Sequence, residues 1–177
     1  MLSHVATRAG DHVGLCAFDS RVRAYLPPQG GRRAAQRVVA ASYDIHAQLV
    51  ETDFEVAYGF LAQRLRKRSL VVLFTQLIDE VSARSVVRTV RSLNPRHLPL
   101  VVLFRDETLD ALAEPRGGSS RPVDLYERAA AAEAVLWRER LARELGEAGA
   151  LVLHVSPRKL TLSLINRYLH IKAQRLL

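Results

Sequence analysis

The stretch Arg68-Ser-Leu-Val-Val-Leu-Phe-Thr-Gln-Leu-Ile-Asp79 constrains the fold more than any other. Six of the seven residues from Ser69 to Thr75 are apolar or β-branched, a turn follows, and a helical pattern opens at Glu80. A continuous apolar run between helices reads as a strand buried on both faces, and such strands sit in the middle of parallel sheets. Ligands of open α/β sheets bind beyond the carboxyl ends of these strands. Thr75, Gln76 and Asp79 therefore fall at the rim of any site this sheet carries.

The rest of the chain supplies partners for such a strand. Residues 2–9 read as the last turns of a helix ending at Gly10. His12–Phe18 and Val22–Leu26 flank the turn Asp19-Ser20 and form an antiparallel hairpin. Pro27-Pro28-Gln29-Gly30-Gly31 should break regular structure. Arg32–Leu49 has a helical face of Val38, Ala41, Ile45 and Leu49. Thr52-Asp-Phe-Glu55 has the capping-box pattern, with Thr52 as N-cap of a helix lined by Phe54, Ala57, Leu61 and Leu65. Arg64, Arg66, Lys67 and Arg68 suit that helix's carboxyl end. Asp79 caps a helix to Leu93 that buries Val86, Val87 and Val90, and Asn94-Pro95 ends it.

Leu98–Phe104 is a second buried strand, starting in earnest after Pro99. Glu107–Ala113 is a short helix, and Glu114–Pro122 a flexible-looking surface loop. Val123–Leu145 is one long helix, with Glu139–Arg143 and Arg140–Glu144 at ion-pair spacing and Trp137 as core or packing shelf. Ala150–Val155 is the last strand. Thr161–Arg175 is a helix with Leu164, Ile165, Tyr168 and Leu169 inward. Strands alternating with helices predict an α/β fold: a mainly parallel sheet covered on both faces, with the antiparallel hairpin at one edge. At 177 residues, one domain spanning 1–177 is expected.

The search for chemistry is mostly negative. Gly30-Gly31 and Gly117-Gly118 lack the context of a phosphate loop, and there is no nucleophile elbow or His-Glu-x-x-His. The six histidines share no metal-ligand spacing. His154 reads as a core or edge residue. Cys16, the only cysteine, reads as a small hydrophobe in a strand. A small hydrolase using Cys16 or a serine would need an activating base that the sequence does not place. What remains is oxygen chemistry: Thr52, Asp53, Thr75 and Asp79 fall at helix starts or strand ends, where capping is the bland reading and a hard cation the sharper one.

The net charge of +8 raises a basic nucleic-acid-binding domain as the alternative function. Its basic residues are spread over most helices and interleaved with acids, and no aromatic–basic stacking motif is visible. No apolar run approaches the length of a membrane span, and a cytoplasmic location is expected.

Several stretches together resemble one family. They are Gly10-Asp-His-Val-Gly-Leu-Cys-Ala-Phe-Asp19, Arg68 to Asp79, Val101-Val-Leu-Phe-Arg-Asp106, Asp124-Leu-Tyr-Glu-Arg-Ala-Ala-Ala-Ala-Glu133 and Asn166-Arg-Tyr-Leu-His-Ile-Lys172. The chain resembles the bacterial domain-of-unknown-function 58 family, whose carboxyl half is similar to a von Willebrand factor type A domain. That resemblance implies a Rossmann-like three-layer sandwich. It also implies a non-catalytic protein-interaction role, as partner or adaptor of MoxR-type AAA+ ATPases. Full-length members usually carry amino-terminal membrane helices and a further β-rich region, which are not in these 177 residues.

Type A domains can hold a divalent cation with an Asp-x-Ser-x-Ser loop after the first strand, a threonine and an aspartate. By this resemblance the first strand would precede Met1, Thr52 matches the threonine, and Gln76 stands at the aspartate position. A neutral amide and one hydroxyl make a poor hard-cation site, so neither a tight metal nor another cofactor is expected. Thr52, Asp53, Thr75, Gln76 and Asp79 become a candidate interaction rim. Without the first strand, the edges of the hairpin and of the strand at Ser69–Thr75 would be left unpaired. The chain is then a fragment, or its strands close up, or a second copy fills the gap by self-association.

Overall fold

The computed structural model describes residues 1–43, 45–46, 48–76, 79–114 and 122–176, with backbone only at 122–124. The order is α1 (Leu2–Arg8), β1 (Val13–Phe18), β2 (Val22–Gln29), α2 (Arg32–Tyr43), α3 (Phe54–Arg64), β3 (Leu70–Thr75), α4 (Glu80–Leu93), β4 (Leu98–Phe104), α5 (Glu107–Ala113), α6 (Pro122–Glu147), β5 (Leu151–Val155) and α7 (Leu160–Ala173). A short 3-10 turn, Pro157–Lys159, leads into α7. The expected α/β alternation is present, and most boundaries agree within two residues.

The sheet differs from expectation. β3, β4 and β5 form a parallel three-stranded sheet in that order, while among the described residues β1 and β2 pair only with each other as a separate antiparallel hairpin. The strand at Ser69–Thr75, expected in the middle, is thus an edge, and β4 is the centre. Its side chains show the consequence. Pro99 to Leu103 of β4 are all buried, whereas Leu70 to Leu73 are half-buried and Phe74 is 49% exposed.

Alternation along β4 serves two cores. Val101 and Leu103 face α4 and α6, where they meet Val86, Val90, Leu141 and Leu145. Leu100 and Val102 face α7, where they meet Leu164 and Ile171. Trp137 packs partly buried against the first cluster. In α7 the inward residues are Leu164, Tyr168 and Ile171; Leu169, expected inward, is exposed. Gly149, at φ +94°, makes the turn from α6 into β5, and a Cβ there would sit 2.2 Å from the Asn94 side-chain nitrogen. Only glycine fits that turn without strain.

Helices, not backbone pairing, join the hairpin to the sheet. Phe18 of β1 and Leu73 of β3 pack against the same α4–α6 cluster, and Leu2 of α1, like Leu70 and Val72, packs against the cluster on the α7 side. Phe18 also meets Phe54 of α3 edge-to-face. Between α1 and β1, Asp11 accepts bonds from Tyr168 Oη and from Lys172 Nζ, the latter at 2.7 Å, and Lys172 also reaches the Ala9 carbonyl at 2.8 Å. Burial pushes the Asp11 carboxyl up, but Lys172 and Tyr168 together outweigh it and hold it below the ordinary value.

Other expectations need correction. β2 runs through Pro27 and Pro28 to Gln29; proline is tolerated because a two-stranded hairpin is all edge. α2 ends at Tyr43, buries Ala34 and Ala35, and leaves Ile45 and Leu49 exposed beyond it. The N-cap of α3 is Asp53, one residue after Thr52. Among the described residues neither Glu139–Arg143 nor Arg140–Glu144 forms an ion pair; on the same helix Arg138 reaches Asp110 instead. The loop expected at Glu114–Pro122 falls largely outside the described residues.

Candidate functional site

The five rim residues are placed by two helix starts and one strand end. Thr75 closes β3 and is buried, and Gln76 follows it exposed. Asp79 caps α4, accepting from Ser82 N–H and Ser82 Oγ, both at 2.8 Å. The N–H and hydroxyl bonds from Ser82 hold its carboxyl below the usual range. Asp53 caps α3, accepting from the N–H groups of Glu55 and Val56 at 2.9 and 3.0 Å. Its own N–H donates to the Asp19 carbonyl, which sets the start of α3 beside the hairpin turn. Thr52 is exposed just before it.

Two contacts fix how these starts are offset. Arg88 pairs with Glu55 at 3.3 Å, and Tyr58 Oη donates to the Ser92 carbonyl at 3.3 Å. α3 therefore runs alongside α4 with its first turn level with the middle of α4, not with Asp79. Thr52 and Asp53 form one group at the hairpin turn; Thr75, Gln76 and Asp79 form another at the end of β3.

A hard cation does not fit this donor set. Both oxygens of Asp79 are engaged by Ser82, the bonding oxygen of Asp53 serves two backbone N–H groups, Thr75 is buried, and Gln76 offers a neutral amide. Among the described residues no group of three or more His, Cys, Asp or Glu side chains is gathered to hold a metal. Cys16 is half-buried in β1, and burial pushes its thiol up, opposite to what a nucleophile needs.

The free side of β3 has a defined backbone pattern. Leu98 N–H donates to the Ser69 carbonyl, and the parallel register runs unbroken from Leu70↔Leu98 to Thr75↔Leu103. In such a ladder alternate residues bond to one neighbour. Odd-numbered positions of β3 serve β4, and Leu70, Val72 and Phe74 direct their N–H and C=O groups to the open edge.

A second feature sits at the carboxyl ends of β4 and β5. A cleft of about 320 Å³ is lined by Arg105, Asp110, His154, Ser156, Lys159 and Ser163, with Glu107 and Glu114 among its other walls. Asp106 caps α5 through the N–H groups of Thr108 and Leu109, which turns Asp110 inward. Asp110 accepts from Arg105 Nε at 2.9 Å and Arg105 Nη2 at 2.8 Å, and from Arg138 Nη2 of α6. Burial raises the Asp110 carboxyl, but the two guanidiniums win and leave it lowered.

Sequence reasoning missed this cleft. The usable signal was positional: Arg105-Asp106 and Ser156-Pro157 each follow an apolar strand, at the place where α/β sheets bind ligands. His154, read as a core or edge residue, is half-buried at the cleft floor.

Among the described residues no helix is long and apolar enough to cross a membrane. No curated protein and no solved structure matches the chain. The family described as "Protein of unknown function DUF58" matches residues 1–131. A match over that share of the 177 residues establishes membership: this chain belongs to the DUF58 family.

Proposed function

We propose that this chain is a non-catalytic protein-interaction module with the Rossmann-like architecture of a von Willebrand factor type A domain, acting as partner or adaptor of a MoxR-type AAA+ ATPase. The observation that supports this reading most is the divided sheet. Among the described residues β1 and β3 each have an unpaired edge, and both strands pack on one helix layer. In a type A domain the first strand lies between the equivalents of these two. A strand entering there would satisfy the free backbone groups of Leu70, Val72 and Phe74 and join both pieces into one layer. Proteins use open sheet edges in this way to capture extended segments of partners. The rim of Thr52, Asp53, Thr75, Gln76 and Asp79 then flanks the interaction surface. The capped, exposed aspartates suit protein contact better than catalysis, because the hydrogen bonds of both are spent on the first turns of their helices.

The test is a calorimetric titration of the chain with a purified MoxR-type ATPase, with and without nucleotide. Saturable binding that Val72→Lys removes is the expected result. Absence of binding in every nucleotide state overturns the ATPase assignment. A mobility shift of DNA or RNA that collapses with added salt would instead favour a basic nucleic-acid-binding domain, in keeping with the net charge of +8.

A further inference from the structure

The cleft beyond β4 and β5 concentrates an unusual feature of the molecule. Six buried side-chain polar atoms lack a hydrogen-bond partner among the described residues, and three of them lie at this corner: Arg138 Nε, His154 Nε2 and Ser156 Oγ. Unpaired buried polar groups cost free energy, so native proteins carry few of them and each calls for a reason. Ser156 is the sharpest case. It is 5% exposed, lines the cleft, and does not use its hydroxyl to cap the turn that follows it.

The charges around these atoms say what would satisfy them. Asp110 is one carboxylate shared by two guanidiniums, Arg105 and Arg138, so one positive charge is left over. Lys159 lines the same cleft, exposed, and has no ion-pair partner among the described residues. Burial first, then Arg138 and Arg105, hold His154 below its ordinary value, against the opposing influence of Glu139 and Asp110. At the floor the guanidiniums of Arg105 and Arg138 outnumber the Asp110 carboxylate they share. The exposed Glu107 and Glu114 add negative charge to the walls. They disfavour an extended polyanion, so a nucleic-acid backbone is a poor occupant, while one compact anionic group can reach the floor.

We propose that this cleft is a binding site for a small ligand carrying one oxyanion, a phosphate or a carboxylate. Ser156 Oγ and Ser163 Oγ donate hydrogen bonds to it, Lys159 Nζ supplies the facing charge, and His154 Nε2 bonds the ligand's remaining polar atom. A volume of about 320 Å³ lies at the small end of ligand sites, which suits an oxyanion with a short organic body. The proposal is independent of the interaction reading and stands or falls separately from it.

The experiment uses the whole 177-residue chain, titrated calorimetrically with inorganic phosphate and, in parallel, with succinate. The His154 imidazole resonances are followed by NMR in both arms. Saturable binding in one arm, with a shift of His154, is expected, and the arm that saturates identifies the source of the oxyanion. Lys159→Gln and Ser156→Ala should each weaken it at least tenfold, while Arg91→Gln, an exposed arginine on α4, should leave it unchanged. Lys159 is at the surface, so its variant decides the matter even if Ser156→Ala disturbs folding. No saturation in either arm overturns the proposal. So does binding that survives both cleft variants, or that Arg91→Gln weakens equally, which would be adventitious attraction to a basic surface.

Discussion

β3 and β4 are neighbours with nearly interchangeable sequences, Leu70-Val-Val-Leu-Phe-Thr75 and Leu98-Pro-Leu-Val-Val-Leu-Phe104, yet only one is buried along its length. β4 has a strand on each side and a helix layer on each face. β3 has the helix layers but one neighbour. Apolar composition thus reports the environment a strand suits, and neighbours decide what it receives. The hairpin makes the contrast plainer. β2, also an edge, carries Arg23, Pro27 and Pro28, which are devices that discourage further pairing. β3 carries none between Leu70 and Thr75. An unprotected apolar edge on a strand suited to an interior position is the feature a partner strand would use.

Truncation of matched leucines measures the difference most directly. Leu100 in β4 has no exposure, and Leu100→Ala should cost about 3 kcal/mol, through lost burial and a cavity that cannot collapse. Leu73 in β3 is half-buried, so Leu73→Ala should cost about 1.5 kcal/mol. Urea unfolding followed by circular dichroism gives both values. Equal losses would break the comparison and mean that β3 is covered in solution. A loss for Leu73→Ala that grows with protein concentration would name a second copy as the cover.

Proline substitution tests the backbone rather than the side chains. Val71→Pro removes an N–H that serves β4 and leaves the half-buried Leu98 carbonyl without that donor, which should cost about 2 kcal/mol. Val72→Pro removes an N–H that points to the open edge, and should cost under about 1 kcal/mol. The same urea experiment decides. If Val72→Pro is the worse of the two, the edge assignment of β3 is wrong.

Much of this architecture was legible in the chain. β4, α4 and β5 were readable because apolar runs, the capping residue Asp79 and the breaker Asn94-Pro95 all agree at one place. The central position assigned to β3 was not readable, because Ser69–Thr75 and Leu98–Phe104 look alike and pairing is a property of two strands. α2 was overextended because Ile45 and Leu49 keep the helical spacing after the helix has stopped. Thr52 and Asp53 are both good caps, and only the backbone at Asp53 (φ −101°, ψ 99°) picks one. The cleft was hidden because its residues come from β4, α5, β5 and α7, and no local spacing links Arg105 to Ser156.

The carboxyl ends of the two strands differ as the strands do, and acid separates them. After β4, Asp110 is held by Arg105 and Arg138, and its folded pKa lies below the ordinary value of 3.8. Such a group contributes stability that is whole above the ordinary carboxylate pKa and is lost as pH falls through the folded value. Asp110→Asn should therefore cost about 1.5 kcal/mol at pH 7, taken low because Arg105 is half-exposed, and the gap from wild type should close below about pH 4. After β3, Asp79 is also lowered but only by its cap. Asparagine caps as well as aspartate, so Asp79→Asn should leave a flatter difference across the same pH series. Parallel acid titrations of unfolding would show which end is anchored by charge. Identical profiles would remove the distinction.

The smallest expected effect on stability is at Phe74, and it carries the most about use. Its ring is half in solvent at the end of β3. Phe74→Gln should change unfolding free energy by no more than about 0.5 kcal/mol, the range of ordinary surface changes. Its effect on association should be large by comparison. An aromatic ring beside open backbone groups is a natural anchor for an incoming strand, and aromatic anchors dominate interface energies. Stability and partner binding should therefore separate at this position, with the first nearly fixed and the second weakened at least about tenfold, or about 1.4 kcal/mol. At Leu100 in β4 stability alone should move, since that side chain never reaches the surface. If Phe74→Gln destabilises the isolated chain as much as Leu100→Ala does, then Phe74 is buried in solution and β3 is no edge. If it changes neither stability nor association, the edge is real but its apolar character serves no partner.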